Sequence, residues 1–325
     1  MRPVVVEAPG KVMLAGEYAV MAGIPCVAAT TGLTMRVSVE PRDDGRMCLE
    51  SNLWQEPQYY KSLAELGDSP FERAVAASLD TFMAVTVTVA SQLKVSFGVG
   101  SSSALRLSVF VALTSYALGR ELSEEELWGL ADKAWKLQLQ AQGRASGYDV
   151  ATQLAGGWVQ YSQPDTGESM SAASVAESAH RDDIVVLVGG KGQPSEEKVL
   201  PTFDVIQADP RLSQFVDCSE RLVKAIYEGV NTALLVEIVE DHRAFLTNWG
   251  LVPESVSSTL DGHDGFAARW SYKTTGAGGE DAILMVGASS DLAEPVYKMS
   301  QMGWYPLPGQ LKGKGLTVQF KGGLQ

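Results

Sequence analysis

Phe97-Gly98-Val99-Gly100-Ser101-Ser102-Ser103-Ala104 joins two apolar stretches, and its reading decides the fold. Upstream, Val85 to Ala90 alternates valine with threonine and reads as a strand; downstream, an apolar helix runs to about Leu118. Glycines let a backbone turn sharply and approach a ligand closely. The serines and the helix N-terminus place N–H donors and hydroxyls where a polyanion would sit. A plain capped loop uses the same residue types, so the segment alone leaves both readings open. It lacks the Gly-Lys-Ser/Thr ending of a P-loop and the third glycine of a dinucleotide fingerprint. As a nucleophile elbow it fails at Ala104, and His180, His242 and His263 have no motif that would make one of them a base.

Outward from this segment the chain alternates strands and helices without a regular order, which predicts an α+β fold. Ser123 and Glu126 form a capping box that opens a helix to about Gln142, and Val159 to Ser162 is a strand. On the N-terminal side, Phe71 to Met83 reads as a helix. Leu33, Met35, Val37 and Val39 mark a half-buried strand, and Val4 to Glu7 and Val12 to Ala15 read as two strands hinged at Pro9-Gly10. Residues 41–70 are polar and rich in turn formers around Trp54, Tyr59 and Tyr60, and read as a surface excursion. Gln163 to Arg181 is small and polar, a domain boundary; strands follow at Ile184 to Val188, Ala282 to Val286 and Leu316 to Phe320, with helices over 211–247. A length of 325 residues fits two domains, 1–175 and 176–325.

Hydrophobic residues make up 45% of the chain, enough for a packed core. Asp and Glu number 39 against 26 Lys and Arg, and the net charge of −13 argues against nucleic-acid or anionic-membrane partners. Phosphorylated ligands would have to be held by a few local cations and backbone amides. Cys26, Cys48 and Cys218 make neither a disulfide framework nor a Cys-x-x-Cys site. The first apolar run is too short for a signal peptide, and a reducing, cytoplasmic setting is expected.

Two more glycine-rich segments stand out. In Ala8-Pro9-Gly10-Lys11-Val12-Met13-Leu14-Ala15-Gly16-Glu17-Tyr18-Ala19-Val20 a lysine leads into an apolar strand, where its ammonium needs a partner or a route to solvent. Lys273-Thr274-Thr275-Gly276-Ala277-Gly278-Gly279 precedes a strand. In this order the three segments resemble the motifs of the GHMP kinase family and span residues 9 to 279. A fourth, Arg144-Ala145-Ser146-Gly147-Tyr148-Asp149-Val150-Ala151, resembles the Ser-Gly-x-Asp-Val-Ala region of the phosphomevalonate kinase branch, as does Gly16-Glu17-Tyr18-Ala19-Val20.

The resemblance implies an N-terminal domain like ribosomal protein S5 domain 2, a ferredoxin-like C-terminal domain, and an ATP- and Mg²⁺-dependent transfer to a small phosphate or alcohol acceptor. It assigns Gly98, Val99, Gly100, Ser101, Ser102 and Ser103 to the ATP phosphates and the Ser102 hydroxyl to Mg²⁺. Asp149 would be the base, and Lys11 would keep it ionised and stabilise the transferring phosphoryl group. Tyr18, Arg144, Ser146, Gly147, Gly276, Ala277 and Gly278 would bind the acceptor, and a homodimer is left open. Three departures bear on the acceptor. Glu280 interrupts the third motif; Gln138 stands where mevalonate kinases carry a metal-binding Glu; Gly192-Gln193-Pro194-Ser195-Glu196-Glu197 matches the family's Pro-x-Ser-Thr turn only loosely. A kinase for mevalonate or a sugar, and a non-catalytic binding protein of the same fold, are the alternatives.

Overall fold

The alternation at Leu33 to Val39 belongs to a longer strand, β2 (Cys26–Pro41), the spine of the first of two sheets. The computed structural model describes residues 2–165, 168–175, 182–190, 195–261, 269–309, 311 and 313–322, so His180, His263 and Gly192 to Pro194 lie outside the described residues. β1 (Val4–Ala15) pairs antiparallel with β2 as one strand rather than two. Pro9 and Gly10 do not end it. They produce a register shift between Pro9 and Lys11, the bulge by which a strand re-aims a side chain. The Lys11 N–H thereby donates to the Val99 carbonyl at 2.9 Å.

Residues 41–70 contribute structure where a polar excursion was expected. β3 (Met47–Ser51) pairs in parallel with β5 (Val85–Ser91) and antiparallel with β4 (Gln58–Tyr60), which buries Met47, Cys48 and Leu49. α1 (Pro70–Ser78) has proline in its first turn and a reciprocal Ser69–Glu72 capping box; it stops short of Met83 because Leu79 turns extended. α2 (Ser101–Leu118) packs under β1 and β2, and α3 (Glu124–Gln142) starts at the expected Ser123–Glu126 box. α4 (Tyr148–Ala155), β6 (Trp158–Tyr161), which pairs with β2, and β7 (Ala173–Ser174) follow.

The second sheet is antiparallel, in the order β11 (Tyr305–Pro306), β8 (Ile184–Val188), β10 (Ala282–Gly287), β9 (Trp270–Thr274). Its helices are α5 (Ser195–Ala208), α6 (Leu212–Glu228), α7 (Thr232–Asn248), α8 (Glu254–Leu260) and α9 (Ser289–Gln301). α7 lies on β9 and β10, and α6 reaches across to β1 and β2. One apolar core accordingly takes Val12, Phe110, Val186, Leu222 and Leu284 from both halves. The architecture is α+β. Strands β1 to β7 lie in the first sheet and β8 to β11 in the second; the last, β12 (Thr317–Phe320), pairs with β1 and crosses back to the first sheet. Among the described residues no helix is long and apolar enough to cross a membrane.

Candidate active site

The chain enters α2 through Gly98 and Gly100, at φ 64° and 79°. Both positions also exclude a side chain. A Cβ at Gly98 would fall 2.4 Å from the Asp281 Cβ, and one at Gly100 would fall 2.8 Å from the Lys11 Cε. Gly100 is the N-cap and brings no capping side chain, so the first-turn amides of Ser101 to Ser103 border the cavity at the positive end of the helix. The Ser103 hydroxyl donates back to the Gly100 carbonyl at 3.0 Å, and the Val99 side chain is sunk in the core, so Val99 contributes only backbone. The Ser102 hydroxyl accepts a hydrogen bond from the Arg106 guanidinium at 2.8 Å.

Lys11 is 8% exposed and its Nζ donates to the Tyr148 hydroxyl at 2.7 Å and to the Gly98 carbonyl at 3.3 Å. Burial lowers its pKa, and the carboxylates of Asp149 and Asp281 oppose that shift. Lys11 is thus bonded to neutral oxygens and acts on Asp149 through space. Asp149 sits in the first turn of α4, also 8% exposed; its Oδ1 accepts from the Val150 N–H at 3.0 Å and its Oδ2 from the Gln138 carboxamide at 3.3 Å. Gln138 and Gln142, one turn apart on α3, are bonded at 3.3 Å, and the Gln138 Oε1 is buried without a hydrogen-bond partner.

A small cavity on one side of this group is lined by Tyr18, Arg144, Ser146, Gly147, Gly276 and Ala277, together with Lys11, Tyr148 and Asp149. Tyr18 is the one non-glycine residue at positive φ (56°) among the described residues, and its hydroxyl donates to the Ala277 carbonyl at 2.9 Å. Burial pushes the Tyr18 phenol up to about 12. Arg144 stands over the Phe203 ring at 4.4 Å and 3.9 Å from Asp204, at the rim. Gly278 is not part of this wall, because its α-carbon faces Leu251. Glu280 turns away and accepts from the Ser255 hydroxyl at 3.0 Å, whereas its neighbour Asp281 faces inward.

On the other side opens a larger cavity of about 420 Å³, within the usual range for small-molecule sites. The serine loop and Arg106 form one wall; Met35, Leu53, Trp54, Phe71, Val89 and Val95 form an apolar wall opposite. The Trp54 and Phe71 rings are 5.3 Å apart. Lys11, Gln138, Asp149 and Asp281 border both cavities. Sequence reasoning missed Trp54, Arg106, Tyr148 and Asp281. The one signal for Arg106 was a charge inside an apolar helix, and for Tyr148 its place beside the expected base.

Residues 70–157 match the sequence model of the GHMP kinases N terminal domain. A mevalonate kinase of Pyrococcus abyssi is 24% identical over 98% of both chains, and a phosphomevalonate kinase of Streptomyces sp. is 27% identical over 94% of this chain and 96% of that one. Residues 70–157 are thus similar to a GHMP kinase N-terminal domain, in a chain similar over nearly its whole length to mevalonate and phosphomevalonate kinases. The Streptococcus pneumoniae phosphomevalonate kinase, solved in complex with phosphomevalonate and AMPPNP, superposes on this GHMP kinase fold with a TM-score of 0.71, covering 94% of this chain and 99% of that one at 16% identity.

The Ser102 hydroxyl, expected at a metal, accepts from a guanidinium; α3 offers the neutral carboxamide of Gln138, and the carboxylates bordering the same cavity are those of Asp149 and Asp281. Behind the loops lies a buried ion pair. Lys273, at 0% exposure on β9, donates to Glu17 Oε1, at 1% exposure just after β1. The His242 ring of α7 stands 4.0 Å from Glu17 Oε2 and 3.2 Å from the Ser219 hydroxyl. Burial, and then the Lys273 charge, hold the His242 pKa well below 6.5, so this imidazole is neutral.

Proposed function

We propose that this protein is an ATP-dependent kinase that phosphorylates a small anionic acceptor, 5-phosphomevalonate, to give 5-diphosphomevalonate in isoprenoid synthesis. The observation that carries the reading is the junction of the two cavities at Lys11 and Asp149. The nucleotide base lies against Trp54 and Phe71, its phosphates lie on loop 98–104, and the acceptor enters between Tyr18, Arg144, Ser146 and loop 275–277. The acceptor oxygen attacks the γ-phosphorus, the bond to the β-phosphate oxygen breaks, and ADP leaves. Asp149 takes the acceptor's proton, and the Lys11 ammonium offsets the charge on the transferring group. A phosphate monoester has a second pKa of about 6 and carries one to two charges near neutral pH; the singly charged form keeps the proton that Asp149 takes. The neutral Gln138 beside Asp149 suits such an acceptor better than a third carboxylate would.

A second reading, transfer to the hydroxyl of mevalonate or another small alcohol, is favoured by the similarity to the Pyrococcus abyssi mevalonate kinase over 98% of both chains. ADP release with MgATP against mevalonate, 5-phosphomevalonate, 5-diphosphomevalonate, galactose and homoserine separates the two. Turnover confined to 5-phosphomevalonate is expected; turnover with mevalonate alone would replace the acceptor and keep the kinase. Asp149→Asn should lose turnover by roughly 10²–10⁴-fold, the usual contribution of a general base, while nucleotide binding persists.

A further inference from the structure

Tyr148 opens α4 one residue before the expected base, and its hydroxyl meets the Lys11 ammonium at 2.7 Å. An ammonium has three donors and no lone pair, so the phenol oxygen is the acceptor in this bond. The phenol also has a proton of its own to give. Among the described residues none accepts it: Asp149 and Asp281 border the same small cavity, and neither is hydrogen-bonded to this hydroxyl. The Tyr18 hydroxyl in that cavity is engaged differently, since it donates to the Ala277 carbonyl at 2.9 Å. A glycine keeps the space beside Tyr148 open. A Cβ on Gly276, at φ 59°, would stand 3.4 Å from the Tyr148 oxygen, and apart from the adjoining residues no other described atom lies within 4 Å of it. Burial, and then the Asp149 charge, push the phenol well above 10, which keeps its proton in place.

The attacking oxygen of the acceptor must lie where Asp149 can take its proton. On an alcohol, that oxygen is the only one on the reacting carbon. A phosphate monoester puts two more unesterified oxygens on the same phosphorus, and each needs a donor once it leaves water. A phenol that already accepts from an ammonium donates more strongly, because hydrogen bonds in a chain polarise one another. Through Tyr148 the Lys11 charge is therefore felt at a second oxygen of the acceptor.

We propose that the Tyr148 hydroxyl binds a non-attacking oxygen of the acceptor's phosphate and so favours a phosphorylated acceptor over an alcohol. This rests on the reading of the small cavity as the acceptor site for 5-phosphomevalonate.

The test is steady-state turnover of 5-phosphomevalonate with saturating MgATP by the wild type, Tyr148→Phe and Gly276→Ala, with ADP titrated into each protein. Phenylalanine keeps the ring over which Lys11 stands at 4.8 Å and removes only the oxygen. Tyr148→Phe should raise the KM for 5-phosphomevalonate by roughly ten- to a hundred-fold, the usual worth of a hydrogen bond to a charged group. It should leave ADP affinity unchanged, which also shows that the variant is folded. The rise should persist on the acidic side of the alkaline limb, where Lys11 is charged in both proteins. The inhibition constant of mevalonate, used as a competitor, should be the same for both. Gly276→Ala leaves the Lys11–Tyr148 bond in place and fills the space beside the hydroxyl, and it should raise the same KM. An unchanged KM in either variant, or a rise confined to the alkaline limb, would overturn the proposal and leave the acceptor reading standing. Weaker ADP binding in step with the KM, or mevalonate weakened by the same factor, would make Tyr148 a packing residue and overturn it as well. A wild type that turns over mevalonate and not 5-phosphomevalonate would remove the acceptor reading and the proposal together.

Discussion

Replacing Lys273 with methionine removes the one cation bonded to Glu17 among the described residues while keeping most of the side-chain volume. Both partners are out of contact with solvent, at 0% and 1% exposure. After the change Glu17 Oε1 loses its donor, and the buried His242 ring stands 4.0 Å from Oε2, beyond hydrogen-bond distance. Losing one member of a buried pair costs about 3–5 kcal/mol, because the remaining charge must stay unpaired or take up a proton. At about 2 °C per kcal/mol for a chain of this size, the melting temperature should fall by roughly 6–10 °C. The Lys321–Glu40 pair, about half exposed at 3.1 Å, is the internal control, and Lys321→Met should cost at most about 1 kcal/mol. Urea and thermal unfolding of Lys273→Met, Glu17→Gln and the double variant measure the terms. The double variant buries no net charge and should be more stable than Lys273→Met by at least about 2 kcal/mol. A cost below about 1 kcal/mol for Lys273→Met, or a double variant no better than it, would refute the reasoning.

Three further outcomes follow from the site and its support. Tyr148→Phe removes an acceptor that favours the charged form of Lys11. A lysine whose pKa burial already lowers then deprotonates at still lower pH, so the alkaline limb of the kcat profile should move down in pH. Trp54→Ala should weaken nucleotide binding by roughly ten- to a hundred-fold, the worth of stacking one base, when read by titration with ADP. His242 is neutral when folded and takes a proton near pH 6.5 when unfolded. Unfolding therefore takes up a proton below that pH, and stability should fall as pH drops below about 6.5, by up to about 1.4 kcal/mol per pH unit until the folded pKa is reached. His242→Gln should flatten that dependence in urea titrations at several pH values.

What could be read in the chain was local. The Ser123–Glu126 box, the glycine-serine turn into α2 and the alternation of β2 and β5 each depend on neighbours a few positions away, and each stands where it was expected. What could not be read depends on distant partners. Met47 to Ser51 carries no strong strand pattern within a polar stretch and becomes a strand because β5 supplies a parallel partner. Trp54 consequently forms part of a cavity wall instead of a surface excursion. Pro9-Gly10 looks like a break, but β2 and the Val99 carbonyl hold both sides of it in one strand. The lysine of the first motif was legible as an oddity, while its bond to Tyr148, 137 positions on, was not. Arg106 shows the same limit from the other side: inside an apolar helix its charge had no visible destination until the helix was placed against loop 98–104.

Residues 273 to 281 are fastened to the rest of the molecule at both ends and in the middle, through Glu17, the Tyr18 hydroxyl, Ser255 and the flank of Gly98. That wall of the small cavity works as a fixed gauge. A lineage that drifts toward a new acceptor gains little by editing it, since each change there disturbs the catalytic loop as well. The room for diversification is at the half-buried rim, at Met21 and Arg144, where a side chain can be exchanged without loosening the frame. Within this architecture, acceptor preference can be retuned at the mouth while the phosphoryl-transfer apparatus is inherited intact.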